Sequence, residues 1–477
     1  MRRILLAVLS LAVAASAPDV SSQLAAIFAP LADARSPGLA VLVRHDGRTI
    51  FERGYGVRDL RTRAAIDART DFRLASFTKQ FTAMAIMLLV HDGKLRYDEK
   101  LTDIFPEFPA YGRAITIRHL LTHTSGLPDY EDLMGATWTP THQIQDSEVL
   151  DLLEHQSAGK FAAGRRWEYS NSGYVVLGLV VARSSGSPYE KFLRDRIFAP
   201  LEMTGTLAYV NGTNMVPNRA YGHTRQDDRF VETDQSSTSA TLGDGGVYSN
   251  LADLAKWDDA LGKHTLLSPE EMRAALIPVT LAGGAAPHWP QETNDDNLAP
   301  GKPVAYGFGW FLDPFQGRAR IWHSGSTIGF RSVIDRFTDE KLTIVILSNR
   351  TDLDPASLAL KVAPAVLPPA RHGLRVRRYR SYNCSISSLK FSMVWLRRTF
   401  MVAVNSPCSM EKSRARMRYL RTCSKGASCW LTRATARRIS ASTGGAAASS
   451  AGVRPRYASI PFSVSAAAGL RVMRAVR

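Results

Sequence analysis

The sequence predicts an α+β fold: an antiparallel β-sheet flanked by helices, built from both ends of the chain, with a mostly helical domain inserted between them. Three observations predict it. Strand-like runs concentrate near residues 38–55 and again in 305–347. The long stretch between Ser76 and about residue 200 carries helical patterns and few strand signals. A last helix-like run, Pro355 to Val366, follows the final strand.

Taken in order, the first element is a hairpin. Gly38-Leu-Ala-Val-Leu-Val-Arg44 and Thr49-Ile-Phe-Glu-Arg-Gly-Tyr55 flank His45-Asp-Gly-Arg48, and Gly47 accepts the positive φ that a tight turn needs. From Ser76 to Val90 the chain is mostly apolar at helical spacing, so this helix should be buried on most sides; His91-Asp92-Gly93 ends it with a glycine able to take a left-handed cap. Residues 95–165 read as short helical pieces broken by Pro106, Pro109, Pro128 and Pro140. A helix is expected from near Asn171 through Leu179, and another from Tyr189 to Ile197 before Pro200. Residues 205–300 are rich in Gly, Thr, Asn and Asp and read as long loops, with one helix around Trp257 capped by Ser249-Asn250. Four strands then follow: Ala305–Phe311, Ala319–Trp322, Gly329–Ile334 and Leu342–Leu347, the last two joined by a turn at Asp339-Glu340.

The chain has 477 residues, 45% of them hydrophobic and 22% charged, enough for a large core and, by length alone, two or three domains. That composition excludes a disordered, collagen-like or disulfide-scaffold protein. The formal charge of +17 is confined to one end. Residues 371–477 hold 22 Lys and Arg against a single acid, Glu411, whereas residues 1–370 hold 38 basic and 42 acidic residues. All four cysteines (Cys384, Cys408, Cys423, Cys429) lie in the same tail. The body therefore rests on core area and not on disulfides or a Cys-ligated zinc. The N-terminus, Met1-Arg-Arg3 followed by an apolar run from Ile4 to Ala15 and then Ala15-Ser-Ala17, has the pattern of a secretory signal over residues 1–17. The run is short for a membrane span of about 20 residues, so export to the periplasm or the medium is expected, with no stable membrane span afterwards.

Chemistry concentrates in three short motifs. Ser76-Phe-Thr-Lys79 puts a hydroxyl and an amine one helical turn apart on one face. The same spacing recurs at Ser157/Lys160, Ser387/Lys390 and Ser409/Lys412, but only Ser76 opens a long apolar helix, whose burial favours the neutral amine that could take the hydroxyl proton. Tyr169-Ser-Asn171 leads into a second helix, offering a phenol for proton transfer and an amide that both donates and accepts. Tyr248-Ser-Asn250 repeats the triplet and reads as a helix cap only. His323-Ser-Gly-Ser326 follows a predicted strand, where a glycine lets a ligand approach the backbone. Gly-x-Ser-x-Gly and Gly-x-x-x-x-Gly-Lys-Ser/Thr are absent, and His119 and His123, four apart, lack the Glu of a zinc-protease helix, so neither a metal nor a cofactor is expected.

In order, spacing and placement these three motifs resemble those of the serine β-lactamase and penicillin-binding-protein superfamily, in its class C β-lactamase, D-alanyl-D-alanine carboxypeptidase and esterase branch. His123-Thr-Ser-Gly-Leu127, Tyr169-Ser-Asn-Ser-Gly-Tyr174 and Gly245-Gly-Val-Tyr-Ser-Asn250 support the likeness, which covers about residues 25–367. It implies a β-lactamase/transpeptidase-like fold and a serine hydrolase working through an acyl-enzyme on amide or ester bonds. The substrate would be a small molecule or a peptidoglycan-type peptide: a D-Ala peptide, a D-amino-acid peptide or ester, or a β-lactam. Ser76 would be the nucleophile, Lys79 its activator and Tyr169 the proton relay. Asn171 would orient Lys79 and the substrate, and Ser324, Gly325 and Ser326 would line the substrate strand, with the Ser76 and Ser326 N–H groups as oxyanion hole. His323 stands where many β-lactamases carry lysine. An imidazole, neutral at pH 7 but gaining charge toward pH 5.5, holds a carboxylate less strongly, which favours peptidase or esterase-like hydrolysis over efficient β-lactam hydrolysis. A Ser-Asp-Asn motif, expected of the class A arrangement, is absent.

The tail, residues 371–477, clusters Arg377-Arg378, Arg397-Arg398 and Arg437-Arg438 without a lasting hydrophobic period. It reads as a disordered or non-native extension, such as one translated in a shifted frame, and no nucleic-acid partner is expected. The competing function class is a non-enzymatic exported binding protein that uses this cationic arm.

Overall fold

The computed structural model describes residues 19–290 and 301–367, together with the backbone of three strands between residues 384 and 405. The expected signal, residues 1–17, lies outside the described residues. The chain divides into two units, Met1–Gly373 and Leu374–Arg477. In the second, strands Cys384–Ile386, Leu389–Leu396 and Thr399–Asn405 pair antiparallel in chain order, where the sequence shows no sustained period; the rest of the tail lies outside the described residues.

The first unit is organised by a five-stranded antiparallel sheet. Its strands are β1 (Leu39–His45), β2 (Arg48–Tyr55), β3 (Ile321–Thr327), β4 (Phe330–Phe337) and β5 (Leu342–Ser348), in the spatial order β3-β4-β5-β1-β2. The central pairing therefore joins the two ends of the unit, Leu39 opposite Ser348 and His45 opposite Leu342. The expected hairpin forms with Asp46 (φ 50°) and Gly47 (φ 75°) at its turn.

Strand β1 is apolar without interruption from Leu39 to Val43 because both its faces are covered there. Leu39, Val41 and Val43 join a cluster with Leu24 and Phe28 of helix α1 (Val20–Phe28) and Ala359 and Val362 of helix α5 (Pro355–Val366). Ala40 and Leu42 point the other way, into the larger core shared with the inserted helices. These helices include α2 (Lys79–His91), α3 (Asn171–Ser185) and α4 (Leu251–Lys263). Ser170 caps α3 by accepting the Gly173 N–H at 3.0 Å, and Gly186 ends it at φ 72°. Asn250 caps α4 by accepting the Asp253 N–H, the role expected of the second Tyr-Ser-Asn triplet.

Two expectations change. The expected strand at 305–311 is a tight reversal: Gly307 N–H bonds the Trp310 carbonyl, and Gly309 takes φ 74°. A Cβ on Gly309 would lie 2.8 Å from the Lys79 carbonyl, so this turn tucks against the start of α2 as no longer side chain could. The strand expected to end at Trp322 instead runs through His323-Ser-Gly-Ser326 to Thr327, so the triplet is inside β3. Short strands missed by the sequence reading also appear, among them Phe72–Arg73, Leu207–Ala208 and Val247–Ser249 in one three-stranded sheet.

Helix α4 is tied to the sheet through a buried carboxylate. Asp258 accepts from Arg44 Nη1 at 2.6 Å, Arg336 Nε at 2.9 Å and Thr343 Oγ1 at 2.6 Å, from β1, β4 and β5. Arg44 is 5% exposed. Removing one partner of such a group leaves charge buried without compensation, so Asp258→Ala should cost about 3–5 kcal/mol. Urea unfolding checks this: the midpoint should fall while the slope stays constant.

Candidate active site

Ser76 does not sit in the first turn of the α-helix itself. It lies in a 3₁₀ turn, Ala75–Thr78, that feeds directly into α2. Ala75 takes φ 50°, a conformation costly for a residue with a Cβ and sustained by its surroundings. Those surroundings grip the turn from two sides. Leu74 N–H donates to the Val247 carbonyl at 2.9 Å, and Val247 N–H donates to Thr78 Oγ1 at 3.2 Å. From the sheet, Ser332 Oγ donates to the Leu74 carbonyl at 2.7 Å. Gly325 of β3 faces the same carbonyl, where an added Cβ would lie 1.9 Å away. That glycine lets β3 lie directly against the turn that carries Ser76.

Lys79 has no exposed surface, and its Nζ donates to three acceptors: Ser76 Oγ at 3.1 Å, Asn171 Oδ1 at 2.9 Å and the Asp244 carbonyl at 3.0 Å. The Asp244 contact was not legible in the sequence. It depends on Gly243, where a Cβ would come within 2.2 Å of the Tyr174 carbonyl, and on Thr82, whose hydroxyl donates to the Gly243 carbonyl at 2.6 Å. Tyr169 places its ring 4.9 Å from Lys79 Nζ, and Tyr174 stands 5.4 Å away on α3. Ser76, Lys79, Tyr169 and Asn171 thus meet at one point. Donation to all three acceptors uses every hydrogen of an ammonium; in the neutral form the same nitrogen can keep its bonds to Asn171 and Asp244 and turn its lone pair to the Ser76 hydroxyl proton.

His323 approaches the group differently from expectation. It is 1% exposed, with its ring 6.2 Å from that of Tyr169. Nδ1 lies 2.6 Å from the Ser324 carbonyl, an acceptor only, so Nδ1 carries the proton and Nε2 accepts from the Tyr306 hydroxyl at 3.1 Å. Burial, with the nearby Lys79 charge, pushes its pKa down to about 3. The gain of charge toward pH 5.5 expected from the sequence therefore does not occur; the ring stays neutral there.

Strand β3 is the sheet edge, and its alternation fixes which groups face the site. Trp322 exchanges both backbone hydrogen bonds with Phe311, on the side away from β4. In an antiparallel strand residues two apart point their N–H and C=O the same way, so the Ser324 and Ser326 backbones also face away from β4. Ser326 is exposed, which leaves this stretch open to a bound carbonyl.

An acid missed by the sequence reading completes the rim. Asn171 Nδ2 donates to Glu131 Oε1 at 3.4 Å. Glu131 is solvent-accessible as a residue, yet the protein around its carboxyl group, with the Asp129 and Asp244 charges, raises its pKa to about 7. His119 and His123 do not converge: His119 Nδ1 accepts the Thr116 N–H, while His123 is buried among aromatic rings. Among the described residues no group of His, Cys, Asp and Glu is gathered to hold a metal ion, and no helix is long and apolar enough to cross a membrane.

Known proteins share this arrangement of elements. Penicillin-binding protein 4* of Bacillus subtilis is 32% identical over 344 residues, covering 69% of this chain and 71% of its own. The solved penicillin-binding protein of Bacillus halodurans is 26% identical with a TM-score of 0.59, covering 71% of this chain and 98% of its own. The D-amino acid amidase of Ochrobactrum anthropi SV3, solved with L-phenylalanine amide, superposes with a TM-score of 0.60 at 24% identity, covering 73% of this chain and 99% of its own, a likeness of fold. The profile of the Beta-lactamase family matches residues 24–366, the span from α1 through the sheet and its insertion to α5. With the second half of α1, the sheet, the inserted helices and α5 inside one match, the chain belongs to the Beta-lactamase family and is a serine hydrolase of the β-lactamase-related type.

Proposed function

We propose that the protein is an exported acyl-enzyme hydrolase of amide bonds, acting on D-amino-acid amides or short peptides whose free amine is held near Glu131. The carrying observation is the Lys79 amine, buried and bonded at once to Ser76 Oγ and Asn171 Oδ1. In this reading Ser76 Oγ bonds the substrate carbonyl carbon while its proton passes to neutral Lys79. The oxyanion is met by the N–H groups of Ser76 and Ser326. Collapse breaks the C–N bond, with Tyr169 returning a proton to the leaving amine, and water then hydrolyses the ester by the same route reversed. Asn171 orients Lys79 and the substrate amide.

The substrate preference rests on charge. His323, neutral throughout the working range, offers little to a carboxylate, whereas Glu131 and Asp129 favour an ammonium. The amidase from Ochrobactrum anthropi was solved with D-phenylalanine and with L-phenylalanine amide, ligands of the free-amine kind proposed for this site. Intact-mass analysis after incubation with D-amino-acid amides, esters, D-Ala-D-Ala peptides and β-lactams tests the whole reading; no adduct with any class would reject it.

Ser76→Ala should abolish both hydrolysis of a chromogenic amide and covalent labelling. Lys79→Ala should cost nearly as much, about 10³-fold or more in kcat, because the two side chains act as a unit. Labelling of the Ser76→Ala variant at another serine would refute the assignment.

Because the Glu131 pKa is raised, its carboxyl is neutral below about 7 and becomes an anion above it. Attraction for an ammonium is therefore gained as pH rises from 6 to 7.5. The ratio of kcat/KM for a free-amine amide to that for its N-acetyl counterpart should rise over that interval. In Glu131→Gln the ratio should be flat and about five- to tenfold lower at pH 7.5, the scale of one partly solvated charged hydrogen bond.

The tail is read as dispensable. A chain ending at Ala370 should keep its activity per molecule and its melting temperature; a collapse of both on truncation would place the domain boundary elsewhere.

A further inference from the structure

We propose that His123 is the positioning residue for Tyr169, holding the backbone on both sides of that phenol through its own carbonyl and its Nδ1. The inference rests on the reading of Tyr169 as the proton carrier. Glu168 N–H donates to the His123 carbonyl at 3.0 Å, and Ser170 N–H donates to His123 Nδ1 at 3.1 Å. These two bonds bracket Tyr169 in the chain. The His123 ring itself lies 4.4 Å from the Tyr169 ring at 34°, so the histidine sets both the peptide plane and the ring.

The clamp is itself tightly held. His123 has no exposed surface, takes φ 58°, and packs its ring 4.6 Å from Tyr306 and 5.1 Å from Tyr174. Nδ1 accepts a hydrogen bond and so bears no proton. The ring's hydrogen belongs to Nε2, which is buried with no hydrogen-bond partner among the described residues. Burial holds the imidazole pKa well below its ordinary value, in keeping with a permanent acceptor. Tyr306 touches His123 on one ring and donates to His323 with its hydroxyl, so one aromatic layer carries both histidines behind Tyr169.

The acceptor can be separated from the bulk. His123→Asn places an amide oxygen near the Nδ1 position and tolerates positive φ. His123→Gln carries its amide out toward Nε2, and His123→Phe keeps only the ring. With chromogenic amide, His123→Phe and His123→Gln should lose about 10- to 100-fold in kcat with little change in KM, the scale of a misplaced catalytic group. His123→Asn should recover to within about threefold of the parent. In a Tyr169→Phe background, His123→Phe should cost almost nothing further, because its effect passes through the phenol.

If His123→Phe does not fold, as read by circular dichroism and thermal melting, the Asn and Gln variants carry the comparison. Equal kcat in His123→Asn and His123→Gln, or full additivity with Tyr169→Phe, would overturn the positioning role while leaving the proposed function standing. Unchanged kcat in Tyr169→Phe alone would instead remove the reading on which this inference rests.

Discussion

The site depends on one constraint: an amine with no exposed surface must find an acceptor for each hydrogen it offers. Lys79 Nζ meets three, Ser76 Oγ, Asn171 Oδ1 and the Asp244 carbonyl. None is a carboxylate side chain. An unmade bond in that interior would cost several kcal/mol, so the segments that carry the acceptors cannot drift independently. The 3₁₀ turn, the N-terminus of α3 and the loop at Gly243-Asp244 are drawn to one point by the same nitrogen.

The scaffold permits that convergence by removing side chains where backbones must touch. Gly325 lets β3 reach the Leu74 carbonyl, Gly243 lets its loop enter beside Tyr174, and Gly309 lets a reversal press on the Lys79 carbonyl. Each would carry a Cβ closer than 3 Å to backbone if substituted by alanine. The positive φ at Ala75 and His123 is the complementary device: two residues with side chains held in a conformation they do not favour, one beside Ser76 and one behind Tyr169. Strain of this kind persists only where surrounding bonds over-determine the backbone. Here the Val247 and Ser332 contacts do so for the first, and the Glu168 and Ser170 contacts for the second.

Electrostatically the site is uneven. Its sheet side carries a neutral, buried His323 bonded to Tyr306, and its insertion side carries Glu131 with Asp129 near it. The two histidines use opposite tautomers, Nδ1–H in His323 and Nε2–H in His123, because one Nδ1 faces a carbonyl and the other an N–H. A third motif with histidine is thus not a weaker version of a lysine facing solvent. Inside this aromatic layer it is a hydrogen-bonding wall.

The sequence by itself determined the elements whose signals are local. The apolar run 39–43, the Asp46-Gly47 turn, the Asn250 cap of α4 and the burial of α2 on most sides follow from propensity, periodicity and apolar content within a few residues. It also placed Ser76 beside Lys79, because three residues apart on a helical turn leaves little choice. Only the tertiary structure decided that Asn171, 92 residues from Lys79 in the chain, shares a hydrogen bond with it, and that Asp244 offers its carbonyl and Glu131 its carboxyl end. The reversal at 305–311 misled for the same reason: its aromatic and glycine residues look β-like locally, while the force that bends them comes from packing on α2. His323 shows the limit most plainly. Residue type gives an imidazole its ordinary titration range, but desolvation and a neighbouring amine, both properties of the folded interior, move it out of that range.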